Sequence, residues 1–147
     1  MTNTLYIFFT IMLLTGCGKG DYQDHYGNAH DFSDHRGKWM LINYWAAWCK
    51  PCIDEIPELN HFAKKHRDKV VLFGVDFDGN QGEKLQQNIN KLEIGFPVLI
   101  DDPAAILNYQ QPDVLPTTLI FNPKGKLHRI LKGPQTEQTL SDAITPI

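Results

Sequence analysis

The sequence predicts an α/β domain in which a mixed central sheet carries helices on both faces. Apolar runs of strand length alternate with stretches of helical periodicity through residues 39–109. Two further strand-length runs then follow in direct succession, joined by a turn containing Pro and Gly. A chain of 147 residues that is 42% hydrophobic and 21% charged is long enough and apolar enough to bury one core. Alternating elements that end in a strand pair imply parallel crossovers plus an antiparallel edge, hence a mixed sheet.

Each element has its own warrant. Residues 39–46 are apolar apart from Asn43, the pattern of a strand covered on both sides. Over residues 49–68, Ile53, Ile56, Leu59, Phe62 and Ala63 recur on one side of a helix. Pro57 falls inside that helix, where it removes one backbone bond and bends the axis. Residues 70–77 read as a second buried strand, 82–92 as a helix with a polar face and 96–100 as a short strand. One or two helical turns are expected over 102–109. Residues 117–121 and 127–132 are strands joined by Asn122-Pro123-Lys124-Gly125-Lys126, and 137–144 close the chain as a helix. The resulting order is β-α-β-α-β-α-β-β-α, with no internal repeat and no low-complexity tract.

The N-terminal part is organised differently. Residues 1–16 carry no charged side chain, and 5–14 are almost wholly apolar. That run is about half of the roughly 20 residues that span a bilayer, so 1–16 read as a signal peptide. Leu14-Thr15-Gly16-Cys17 resembles a bacterial lipobox, in which the Cys is lipidated and becomes the first mature residue. The expectation is a lipoprotein of the bacterial cell envelope, held to the membrane at Cys17 and facing the periplasm or the outer surface. Residues 17–31 are polar and read as a tether, with 32–147 as the folded domain. His25, His30 and His35 lie five apart, which is no helical face, and without apolar periodicity to hold them they read as solvated rather than as metal ligands. His61, His66 and His128 have no partner pattern and read as surface residues. Lys plus Arg number 14 against 17 Asp plus Glu, a net charge of −3, which offers no basic face for nucleic acid. A monomer is expected.

The chemistry is concentrated in Trp48-Cys49-Lys50-Pro51-Cys52. Two cysteines separated by two residues, at a strand-to-helix junction, can close a small disulfide ring or open to a dithiol. Cys49 meets the helix's free N–H groups and positive dipole end, which favour the thiolate that attacks disulfides. Cys52, one turn further in, is placed to resolve the mixed disulfide. Lys50 adds a positive charge, and Pro51 near the first turn costs no hydrogen bond. A zinc site would need two more ligands, which no second paired motif supplies. A covalent haem site would need His after the second Cys, where Ile53 stands. A purely structural disulfide remains an alternative, although so short a ring removes little chain entropy.

The stretch Asn43-Tyr44-Trp45-Ala46-Ala47-Trp48-Cys49-Lys50-Pro51-Cys52, followed by Leu115-Pro116-Thr117-Thr118, is similar to thioredoxin-like proteins of the TlpA/ResA type. The resemblance runs over residues 32–144. It implies a thioredoxin fold and an extracytoplasmic, membrane-tethered thiol–disulfide oxidoreductase. It also implies a cis peptide bond before Pro116, facing the cysteines, with Leu115, Pro116, Trp48, Lys50 and Pro51 lining a substrate groove. Trp45 is then a core residue. Cytoplasmic thioredoxins carry a buried Asp six residues before the first Cys, where this chain has Asn43. The TlpA/ResA type instead places a Glu three residues after the second Cys, here Glu55, and a partly buried carboxylate of raised pKa suits proton exchange with Cys52.

Strong oxidants of the DsbA type carry His between the cysteines, which Lys50-Pro51 does not match. The resemblance therefore implies a reductase or exchanger of protein disulfides, of the kind that serves cytochrome c maturation or envelope thiol repair. Its partners would be protein thiols and disulfides and an electron-donor protein, with no cofactor and no metal. Two alternatives stand beside it. One is a lipoprotein binding module with a structural disulfide. The other is a thiol peroxidase, which would carry Thr three residues before the nucleophile, where this chain has Ala46.

Overall fold

A computed structural model of the chain describes residues 20–145, so the expected signal peptide over 1–16 and Cys17 lie outside the described residues. In chain order the elements are β1 (Tyr22–Gln23), β2 (Ala29–His30), a 3-10 turn (Phe32–His35), β3 (Trp39–Trp45), α1 (Lys50–Lys65), β4 (Val70–Asp76), α2 (Gly82–Leu92), β5 (Val98–Leu99), β6 (Thr117–Phe121), β7 (Leu127–Lys132) and α3 (Glu137–Ala143).

Five strands form the central sheet in the order β5-β4-β3-β6-β7. β3 pairs parallel with β4 and antiparallel with β6, so the sheet is mixed, as expected. All seven residues of β3 are buried, which is why its sequence is nearly continuous in apolar side chains. Alternation along β3 feeds two cores. Trp39, Leu41 and Trp45 pack with Ile56, Leu59 and Phe62 of α1, Leu85 and Ile89 of α2 and Leu140 of α3. Met40, Ile42 and Tyr44 pack on the other face with Phe73, Val75, Leu119 and Phe121. Gly74 on β4 is needed for close approach, because a Cβ there would lie 2.9 Å from Trp45 Nε1.

Helical cover is unequal between the faces. All three α-helices lie on the first core, while the 3-10 turn, the β1–β2 hairpin and the segment around Leu107 and Tyr109 cover the second. The crossovers β3-α1-β4 and β4-α2-β5 step in the same direction across the sheet. Right-handed connections therefore place α1 and α2 on one side. The helical turns expected over 102–109 would have covered the opposite face. They make bonds of helical type, from Leu107 N–H to the Pro103 carbonyl (2.9 Å) and from Tyr109 N–H to that of Ala104 (3.0 Å). No helix propagates from them, and Asn108 adopts a left-handed φ of 54°.

The stretch expected as a tether is packed from Tyr22 onward. β1 pairs with β2, and Asp24 bridges antiparallel to Leu99 on β5. His25 N–H donates to the Val98 carbonyl (2.8 Å) and Ile100 N–H to that of Gln23 (2.9 Å), so the hairpin covers the edge of the sheet. The Tyr22 ring stacks on Phe32 at 3.9 Å and meets Phe73 edge-on. Asp24 is fully buried and accepts from the N–H groups of Tyr26 and Asn28 (both 2.9 Å), with His30 Nε2 at 2.8 Å. The three histidines are thus not solvated: His25 Nδ1 accepts from Val98 N–H (3.0 Å), and burial holds His25 and His35 below the usual histidine range. Strands of two residues built around a buried carboxylate carry no apolar period, so the sequence pattern does not announce them.

Candidate active site

β3 ends at Trp45, and four residues later Cys49 caps α1. Its backbone is extended (φ −82°, ψ 101°), and its Sγ accepts from Cys52 N–H at 3.3 Å. Pro51 occupies the first turn, where its missing N–H costs nothing. Cys49 and Cys52 are joined in a disulfide, with their Cα atoms 5.3 Å apart. Cys49 is the more exposed of the two, at 5% against 1%. In the dithiol, the same N–H and the helix terminus favour charge on Cys49 Sγ. Lys50 is exposed and its ammonium pairs with Asp54 one turn along, so its charge is shared rather than directed at Cys49 alone.

Glu55 lies three residues after Cys52 on α1 and is buried, at 1% exposure. Asn43 Nδ2 donates to Thr118 Oγ1 at 3.0 Å and reaches Glu55 Oε1 at 3.5 Å. Glu55 Oε2 has no hydrogen-bond partner. Burial pushes the Glu55 carboxyl up to about 7; the nearby Gln135 backbone amide, which forms no hydrogen bond with Oε2, and Asn43 pull the other way and lose. Asn43 and Thr118 face each other across β3 and β6, which lets Thr118 hold the Asn43 amide beside the Glu55 carboxylate.

The Leu115–Pro116 bond is cis. Because Tyr44 pairs with Thr117, the register puts Pro116 at the level of Trp45, at the sheet end where β3 runs toward Cys49. Pro116 is buried, Leu115 is half-buried between the two cores, and Val114 is exposed. Trp45 is a core residue, as expected. Trp48 is 67% exposed, its indole N–H donating to the Asp78 carboxylate at 2.9 and 3.2 Å. Asp78 and Thr118 are the neighbours that sequence reasoning missed. They lie 30 and 75 residues from their partners, and no local spacing could connect them. Among the described residues no group of three or more His, Cys, Asp or Glu is placed to hold a metal ion, and no helix is long and apolar enough to cross a membrane.

A mixed sheet, a Cys-x-x-Cys disulfide capping the first long helix and a cis-proline at the same sheet end define the class of thioredoxin-like thiol–disulfide oxidoreductases. Residues 18–130 match the AhpC/TSA family, and the chain belongs to that family. It is 30% identical over 122 residues to the thiol-disulfide oxidoreductase ResA of Bacillus thuringiensis subsp. konkukian, covering 82% of this chain and 70% of the relative. Among solved structures, StoA from Bacillus subtilis superposes with a TM-score of 0.68 at 23% identity, over 83% of this chain and 92% of StoA. The exposed lipoprotein thioredoxin Etrx1 from Streptococcus pneumoniae superposes with a TM-score of 0.69 at 26% identity, over 83% of this chain and 95% of Etrx1.

Proposed function

We propose that the protein reduces or exchanges disulfides of protein substrates outside the cytoplasm, using Cys49 as nucleophile and Cys52 as resolving thiol. The observation that carries this reading is the Cys52 N–H aimed at Cys49 Sγ at the cap of α1, with Cys52 buried beneath it. In the dithiol state, Cys49 thiolate attacks one substrate sulfur. A mixed disulfide forms, the substrate S–S bond breaks, and the other substrate sulfur leaves as a thiolate that takes up a proton. Cys52 then gives its proton to Glu55 and attacks Cys49 Sγ. The second substrate thiolate is released and the Cys49–Cys52 disulfide closes, so two electrons have passed to the substrate. A dithiol donor protein resets the pair by the reverse sequence. The electrons reside in the sulfurs, so no cofactor is required. Trp48, Lys50, Pro51, Leu115 and Pro116 form the substrate groove, with Pro116 offering backbone that carries no N–H.

The leader fits the same reading. Cleavage after residue 16 and lipidation of Cys17 would hold the domain on the membrane in the cell envelope, facing the periplasm or the outer surface. Kinship to an exposed lipoprotein thioredoxin supports this. Cytochrome c maturation and envelope thiol repair are the processes such a reductase serves. Cys17→Ser should move the protein from the membrane to the soluble fraction; retention of the variant on the membrane would turn the leader into an uncleaved anchor.

Insulin reduction followed by turbidity tests the reaction itself. Cys52→Ser should accumulate a mixed disulfide with the insulin chain, seen on non-reducing gels, while Cys49→Ser should accumulate none. Trapping by Cys49→Ser instead would reverse the two roles, and no turnover by the unaltered protein would reduce the disulfide to a structural staple.

A further inference from the structure

We propose that the Tyr44 hydroxyl is a positioning group for the Leu115–Pro116 wall, acting through a latch with Asp102 and Tyr109 on the sheet face away from the cysteine helix. The inference rests on the oxidoreductase reading above and concerns how the site selects polypeptide disulfides. Tyr44 is fully buried and stands beside Trp45 near the end of β3. Its hydroxyl donates to Asp102 Oδ1 at 2.6 Å and lies 2.9 Å from the Tyr109 hydroxyl. Asp102 Oδ1 also accepts from Ala104 N–H (2.8 Å), so one oxygen ties Tyr44 to the start of the turn segment. The Tyr109 ring then rests against Phe121 on β6.

Tyr44 holds this segment at both ends. Its side chain fixes Asp102, and its backbone pairs with Thr117, the residue after Pro116. Between those points, Thr117 Oγ1 donates to the Val114 carbonyl (2.8 Å) and Lys132 pairs with the exposed Asp113 (3.0 Å). The Asp113 pair is a surface one of small worth. The Tyr44 hydroxyl is the buried end of the latch, Asp102 being exposed and Tyr109 half-buried, and burial with the Asp102 carboxylate beside it pushes that hydroxyl well above the usual tyrosine range, so it remains a donor at physiological pH. A phenylalanine would fill the same space and leave Asp102 and Tyr109 without that hydroxyl. A substrate chain needs the Leu115–Pro116 wall in place, whereas a small disulfide needs little beyond Cys49. Loss of the latch therefore acts on polypeptide binding.

Steady-state kinetics with insulin and with hydroxyethyl disulfide test this, alongside the reduction potential of the Cys49–Cys52 pair. Tyr44→Phe should raise KM for insulin by roughly three- to tenfold, the worth of one net hydrogen bond, with the hydroxyethyl disulfide rate and the potential unchanged. Asp102→Leu should copy that effect, and Asp102→Asn, which keeps an acceptor oxygen, should restore KM to near the original. An unchanged KM in Tyr44→Phe, or an equal fall in rate with both disulfides, overturns the proposal. Failure of the oxidoreductase reading looks different, because the unaltered protein itself would then not turn over insulin.

Discussion

Glu55 is held in a position where its ionisation costs more than that of an ordinary surface glutamate. Burial pushes its carboxyl from 4.5 up to about 7, which brings it near the pH at which a resolving thiol must lose a proton. Glu55→Gln keeps the side-chain shape and removes the base. It should slow resolution of the mixed disulfide on the order of a hundredfold and erase an inflection near pH 7 from the rate profile. The same shift has a sign in stability. Below pH 4.5 both folded and unfolded states keep the proton; as pH rises to about 7, the unfolded chain releases it and the folded one does not. Stability is thus lost through that window, by roughly 3 kcal/mol when converted from the shift. Thermal melts of the oxidised protein should fall between pH 4.5 and 7, and Glu55→Gln should flatten that fall; parallel curves for the two proteins would remove the charge from Glu55 as its cause. The glutamate could be read from its spacing to Cys52. Its surroundings could not, because Asn43 reaches it from β3 and is itself held by Thr118 only after β3 and β6 pair.

Among the elements, those whose apolar pattern repeats were readable, and those held by polar contacts were not. The long central strands, the cysteine helix and the terminal strand pair were legible because Leu41, Ile42, Ile56, Leu59 and Ile120 recur at strand or helix spacing and are buried. The β1–β2 hairpin was not, since its centre is Asp24 and its apolar contribution is the single ring of Tyr22. Nor did spacing reveal on which face α2 would lie, which depends on the direction of successive crossovers. The hairpin yields a prediction that a tether would not. A chain beginning at Phe32 uncovers Phe73 and Leu99 and frees the β5 edge, and should lose at least about 2 kcal/mol, the worth of one large buried ring. Urea unfolding measures this, and an unchanged midpoint would return residues 20–31 to the role of a tether.

For the whole molecule, the direction of electron flow is set by the free energy difference between the folded disulfide and the folded dithiol. Strongly oxidising members of this chemistry gain their potential by stabilising the reduced thiolate. Here that stabilisation is modest. Among the described residues a single hydrogen-bond donor, Cys52 N–H, reaches Cys49 Sγ, at 3.3 Å. The dipeptide between the cysteines holds no His, and the Lys50 ammonium is engaged by Asp54. Glu55 works in the same direction, because a second negative charge buried near the thiolate is unfavourable above pH 7. The dithiol should therefore be the higher-energy folded form and a ready electron donor. Equilibration against dithiothreitol should give a potential closer to thioredoxin's about −270 mV than to DsbA's about −120 mV, a separation of about 7 kcal/mol. By linkage, the oxidised protein should also melt at the higher temperature, since both forms unfold to chains of similar freedom apart from one short ring. A potential near the DsbA value, with the reduced form the more stable, would reverse the flow and make the protein an oxidant of its substrates.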